Sequence, residues 1–122
     1  MNTHTDRTTR ELLQVLRADD VPKVEMFPGF WRQTLVYGHD VMLCLFTLRA
    51  GAKLPGHNHV HEQVGYVIAG AVELTVEGVS TITRSGCSYY VPSWKVHSAH
   101  ALEDSVVLDA FSPPRDEYTT VA

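Results

Sequence analysis

Turn residues cut this chain into short pieces, and that punctuation limits the fold more than any other feature. From Val24 onward, runs rich in β-branched, aliphatic and aromatic residues fall at 24–27, 30–37, 41–48, 62–69, 71–76, 80–83, 88–91 and 105–111. Between them stand Pro28-Gly29, Gly38-His39-Asp40, Gly51, Pro55-Gly56, Gly70, Glu77-Gly78 and Ser85-Gly86. Short strands with turn signals at this spacing predict an all-β sandwich or barrel. The run from Val41 to Leu48 is apolar on both faces, so it should be covered on both, by a second sheet or by a partner subunit.

At 122 residues the chain is one domain's worth, with hydrophobic residues at 44% and charged residues at 20%, as in ordinary globular proteins. Residues 21–122 are expected to form the barrel and 1–20 a short helical or irregular N-terminal arm. Within the arm, residues 9–18 could form a short helix, capped by Thr8 or Thr9 and presenting Leu12, Leu13, Val15 and Leu16. The net charge of -4, with no Lys/Arg cluster, argues against a nucleic-acid surface. No run approaches the ~20 apolar residues of a membrane span, and the first 20 residues carry no secretory pattern, so the cytoplasm is the expected site. Cys44 and Cys87 lack CxxC spacing and are too few for a disulfide framework, so reduced thiols are expected.

Histidine is clustered: of seven, five lie between His57 and His100. In an extended strand His57 and His59 share a face, and Gln63 keeps their parity. Imidazole nitrogens suit a divalent transition metal, and an amide oxygen can complete the set. Further on, Gly86-Cys-Ser-Tyr-Tyr-Val-Pro92-Ser-Trp-Lys-Val-His97 reads as a glycine, a strand, a proline turn and a histidine opening another strand.

Together the two segments resemble the cupin superfamily, whose motifs are G-x5-H-x-H-x(3,4)-E-x6-G and G-x5-P-x-G-x2-H-x3-N. Gly51, His57, His59 and Gly70 match the first, with Gln63 at the glutamate position; Gly86, Pro92 and His97 match the second. Trp94 stands where the second motif has its inner glycine, and Ala101 where it has asparagine. The resemblance implies a single-domain jelly-roll barrel holding one divalent metal ion (Zn, Ni, Mn or Fe) through His57, His59, Gln63 and His97. Neighbouring Glu62 is the alternative fourth ligand if a bulge breaks the parity. With neutral ligands only, the ion's charge would stay uncompensated and would favour anionic molecules. His61 falls at a non-ligand position, His39 and His100 read as surface or rim residues, and His4 lies in the terminus.

In the C-terminal run, Asp109 and Phe111 share parity on an apolar strand, and Arg115 follows two prolines. A carboxylate inside such a strand is costly unless paired or used. One reading is an Asp109–Arg115 ion pair that locks the C-terminus. The other follows from the pattern H-x-H-x-H-E-Q-x-G-Y-V-x-x-G with a D-x-F-x-x-x-R tail, which is similar to the cupin branch of the pectin-degradation protein KdgF. That resemblance implies that Asp109, Phe111 and Arg115 line a catalytic pocket beside the metal. It also implies conversion of 4,5-unsaturated uronates to linear keto forms, and pairing as a homodimer. Gly65 would keep the barrel open near the metal. A cupin dioxygenase or tailoring enzyme, a small-molecule sensor and a structural cupin are the rival functions.

Overall fold

The computed structural model describes residues 12–119. Its strands are β1 (Val24–Phe27), β2 (Phe30–Tyr37), β3 (Met42–Leu48), β4 (Lys53–His57), β5 (Glu62–Ala69), β6 (Ala71–Val76), β7 (Val79–Arg84), β8 (Ser88–Val91), β9 (His97–Ala101) and β10 (Ser105–Ser112). They form a six-stranded sheet in the order β1-β2-β3-β10-β5-β8 and a four-stranded sheet in the order β4-β9-β6-β7. Every pairing is antiparallel. The strand pattern predicts this all-β architecture, and the cupin resemblance its jelly-roll form.

The inner faces of the two sheets share one core. Phe30, Met42, Cys44, Phe46, Leu48, Val67, Val107 and Phe111 enter from the larger sheet, and Val72 and Ala101 from the smaller. Period-2 alternation does this sorting. In β3 it buries Met42, Cys44, Phe46 and Leu48 and leaves Leu43, Leu45 and Thr47 half-buried on the outside. The barrel therefore covers only one of the two apolar faces expected of this run, and Val41 stands exposed before the strand. Gly70 turns β5 into β6 at φ 93°, where a Cβ would collide with Ser105 and the Asp104 carbonyl.

The structure decides three points the sequence left open or placed otherwise, the first being that the described part of the N-terminal arm is irregular rather than helical. Residues 12–17 form no helix, and only a 3-10 turn, Ala18–Asp20, follows; residues 9–11 lie outside the described part. Leu12, Leu13 and Val15 stay exposed, so burial of the presumed apolar face does not stabilise a helix, and ten residues are too few for a helix to hold alone. The segment is anchored instead by Gln33 Nε2, which donates to the carbonyls of Ala18 and Val21 at 2.7 and 2.9 Å. Second, Pro55-Gly56 is not a break but lies inside β4. β4 is an edge strand with a register shift between Leu54 and His57, the setting in which a strand tolerates proline. Third, β4 ends at His57, so His59 sits in the connection to β5 rather than on a continuing strand.

The C-terminal segment folds back over one end of the barrel. Thr34 Oγ1 donates to the Tyr118 carbonyl at 2.6 Å, and the Tyr118 ring packs among Phe46 and Phe111. Arg115 is thereby buried beside the barrel interior.

Candidate metal centre

Although His57 ends β4, His59 lies in a loop and His97 opens β9, their ligand atoms all lie within 4.8 Å of one another. Backbone carbonyls orient the three rings alike. Nδ1 of His57 bonds Pro55 O at 3.0 Å, that of His59 bonds His61 O at 2.9 Å, and that of His97 bonds Lys95 O at 2.9 Å. A carbonyl only accepts, so each Nδ1 carries the proton and each Nε2 keeps its lone pair. Burial first, then neighbouring positive charge, holds His59 down at about 4. Desolvation likewise lowers His57 and His97, so all three rings are neutral at pH 7.

Gln63 faces inward on β5 and lines the same cavity, which encloses about 50 Å³ of space open to water. Glu62 points to the opposite face, exposed, and accepts a 2.5 Å hydrogen bond from Tyr90. Strand parity thus holds here and brings Gln63, not Glu62, to the histidines. His59 Nε2 and Gln63 Oε1 are buried without a hydrogen-bond partner. Leaving such an atom unsatisfied costs about 1–3 kcal/mol, so these two buried acceptors are suited to a bound electrophile. A divalent cation fits this donor set: neutral imidazoles converge with a free amide oxygen beside them.

The other predicted residues surround the same cavity. Asp109, Phe111 and Arg115 all line it together with His57, Gln63 and His97. Phe111 is fully buried, with its ring centroid 6.0 Å from that of His59. Asp109 is buried too, and desolvation raises its carboxyl to about 6 against the opposing pull of hydrogen bonds from Tyr89 and Gln63 and of the Arg115 charge. The Asp109–Arg115 ion pair of the alternative, structural reading does not form. Arg115 Nη2 pairs with Glu117 at 3.3 Å, and its guanidinium lies 4.2 Å from the Tyr118 ring centroid and 5.3 Å from that of Phe111. Its Nε is buried and unpartnered. Ring stacking and the short C-terminal turn hold this cation at the cavity wall without neutralising it by Asp109.

Tyr89 was not legible as a site residue. It faces inward on β8 and its hydroxyl donates to Asp109 Oδ1 at 2.5 Å. Gly65, expected to keep space open, instead makes room for this contact. The only sequence signal is parity, since Tyr89 alternates with Ser88 and Tyr90. His61 also contributes more than a surface group: its carbonyl orients His59. His39 is exposed beside Asp40, and His100 lies 3.7 Å from Glu73, away from the cluster. Cys44 is buried and Cys87 exposed, both as free thiols.

A jelly-roll barrel whose interior gathers three histidines defines a class. Residues 44–111 match the Cupin domain, and the chain belongs to the cupin family. Within it, similarity is high to the pectin degradation protein KdgF of Dickeya dadantii, 32% identical over 102 residues that make up 82% of this chain and 93% of that protein. The structure of KdgF from Halomonas sp. superposes with a TM-score of 0.81 at 33% identity, covering 85% of this chain and 96% of that one. An RmlC-like cupin from Shewanella frigidimarina superposes with a TM-score of 0.80 at 29% identity, over 84% and 93% of the two chains. Salicylate 1,2-dioxygenase from Pseudoaminobacter salicylatoxidans has a TM-score of 0.68 at 26% identity; the match covers 74% of this chain but only 26% of the dioxygenase.

Proposed function

We propose that this cupin is a metal-dependent enzyme that converts 4,5-unsaturated uronates to their linear keto forms, as the likeness to KdgF suggests. One observation carries the reading: a buried carboxyl raised to about 6 and an arginine not paired to it share a cavity with His57 and His97 of the three-histidine cluster. An isomerisation of an anionic sugar needs those two elements, a proton carrier that titrates near neutrality and a fixed cation.

Arg115 grips the substrate carboxylate, since a planar guanidinium offers parallel donors and its stacking on Phe111 and Tyr118 sets its plane. Asp109 moves the proton: its raised affinity lets it hold one near pH 6 and release it above. Phe111 walls off water between Asp109 and His59. His57, His59, His97 and Gln63 would hold one divalent ion per chain, which when bound supplies Lewis acidity to a substrate oxygen. Loss of the ultraviolet absorbance of the conjugated double bond of 4,5-unsaturated galacturonate tests the reading, and no turnover by the metal-loaded protein would remove it.

The likeness to salicylate 1,2-dioxygenase supports a second reading, oxygen-dependent cleavage. An oxygen electrode separates the two, because the isomerisation consumes none.

The chain is also proposed to act as a homodimer. On the outside of the larger sheet, Leu43, Ala110, Val64 and Tyr90 stand in one cross-strand row, and Leu45, Leu108 and Tyr66 in the next. Val64, Tyr66 and Tyr90 are exposed there, and a second copy would cover this apolar face. Light scattering at micromolar concentration should give twice the chain mass, and Tyr66→Glu should halve it. A monomeric parent protein would count against pairing. Among the described residues no helix is long and apolar enough to cross a membrane.

A further inference from the structure

One cross-strand row runs inside the larger sheet through Cys44, Asp109, Gly65 and Tyr89, on β3, β10, β5 and β8. Asp109 and Tyr89 are therefore not neighbours in register, because β5 lies between them. They touch because the intervening residue has no side chain. A Cβ on Gly65 would overlap Tyr89 Cζ and hydroxyl and Asp109 Oδ1. The tyrosine thus crosses the gap and donates to Asp109 Oδ1 at 2.5 Å. Burial, reinforced by the Asp109 charge, keeps the hydroxyl protonated. Tyr89 lines the cavity that also holds His57, Gln63 and Arg115.

We infer that Tyr89 is a positioning residue: its hydroxyl, reaching through the gap at Gly65, holds Oδ1 and so sets the orientation in which the Asp109 carboxylate meets the substrate. This rests on the reading of Asp109 as the proton carrier. The geometry argues against simple space-filling. A phenylalanine ring would fill the gap over Gly65 as well, yet only a hydroxyl makes a short bond to a buried carboxylate, and such charge-assisted bonds are the strong, orienting ones.

The test compares Tyr89→Phe, Asp109→Asn and the double variant in the metal-loaded full chain, with 4,5-unsaturated galacturonate as substrate and a crystal structure of Tyr89→Phe. Losing a hydrogen bond to a charged group should lower kcat by about 10- to 100-fold, with KM within about twofold. Metal content should equal that of the parent. The double variant should be no slower than Asp109→Asn alone, because Tyr89 acts through Asp109. In the crystal the carboxylate should turn or take two orientations. An unchanged Asp109 orientation in Tyr89→Phe overturns the inference whatever the substrate. So does an unchanged kcat, or a loss of metal that accounts for the loss of rate. If Asp109→Asn is inactive while Tyr89→Phe matches the parent, only this inference falls; if Asp109→Asn retains full turnover, the reading of Asp109 falls and takes this one with it.

Discussion

His57 and His97 are register partners across the β4–β9 pair, with ring centroids 4.3 Å apart. Two imidazoles this close gain nothing from each other, and each protonation would oppose the other. Their placement favours a shared cation. Metal analysis of protein purified without added metal should find about one ion per chain. His57→Ala or His97→Ala should abolish it, since each takes away one nitrogen of the cluster. Full metal content in His57→Ala would end the metal reading.

Asp109 links activity to stability. Burial raises its carboxyl from 3.8 to about 6, so the folded protein binds this proton more tightly than the unfolded chain. The stability it contributes is full below about pH 4 and is lost as pH rises through 6. Asp109→Asn removes the buried charge. Metal-free Asp109→Asn should thus be more stable than the parent at pH 7 by up to about 3 kcal/mol, with a flatter profile between roughly pH 4 and 6. Its turnover should fall by about 10²–10⁴-fold, the worth of a positioned acid or base. Urea unfolding against pH, together with kinetics, checks both halves. A variant that is less stable and fully active would make Asp109 a structural residue.

Arg115 should act on binding. Without a direct bond to Asp109, Arg115→Ala leaves no buried carboxylate newly stripped of an ion-pair partner. It loses instead the stacking on Tyr118 and Phe111 and the pair with Glu117. KM for uronates should rise at least about tenfold, as expected when a charge-assisted contact worth about 1.5–3 kcal/mol is lost. A neutral analogue lacking the carboxylate should show little change. Equal effects on both substrates would count against a carboxylate-gripping role.

Trp94 occupies the position where the family motif has glycine, and it keeps the glycine conformation, φ 67°. Its amide donates to the His59 carbonyl at 2.8 Å, so the left-handed turn helps hold the histidine loop. A left-handed non-glycine residue is strained by about 1 kcal/mol, and the indole is exposed. Trp94→Gly should raise stability by about that amount without changing metal content. A fall in melting temperature would show that the indole packs in a way that offsets the strain.

Much of this architecture could be read from local pattern. β1, β2, β5, β6 and β8 run as the period-2 runs and their turn residues predict, because alternation and glycine turns are properties of a few consecutive residues. Parity likewise put Gln63 inside and Glu62 outside, since β5 is regular over both. The family motifs named the histidines, although strand parity is not why they meet: His59 reaches the cluster from a loop, and His97 by pairing with His57. Only the tertiary structure could decide what depends on strands distant in sequence. Pro55-Gly56 sits within a strand because β4 lies at a sheet edge, a fact of strand order. The residues around Leu12 stay unhelical because the barrel leaves their apolar side chains exposed. Arg115 leaves Asp109 to Tyr89 and Gln63 because the C-terminal segment turns its guanidinium onto Phe111 and Tyr118. The contact between Tyr89 and Asp109 requires β8 and β10 to flank β5 in one register with a glycine between them, and no single stretch of the sequence records that coincidence.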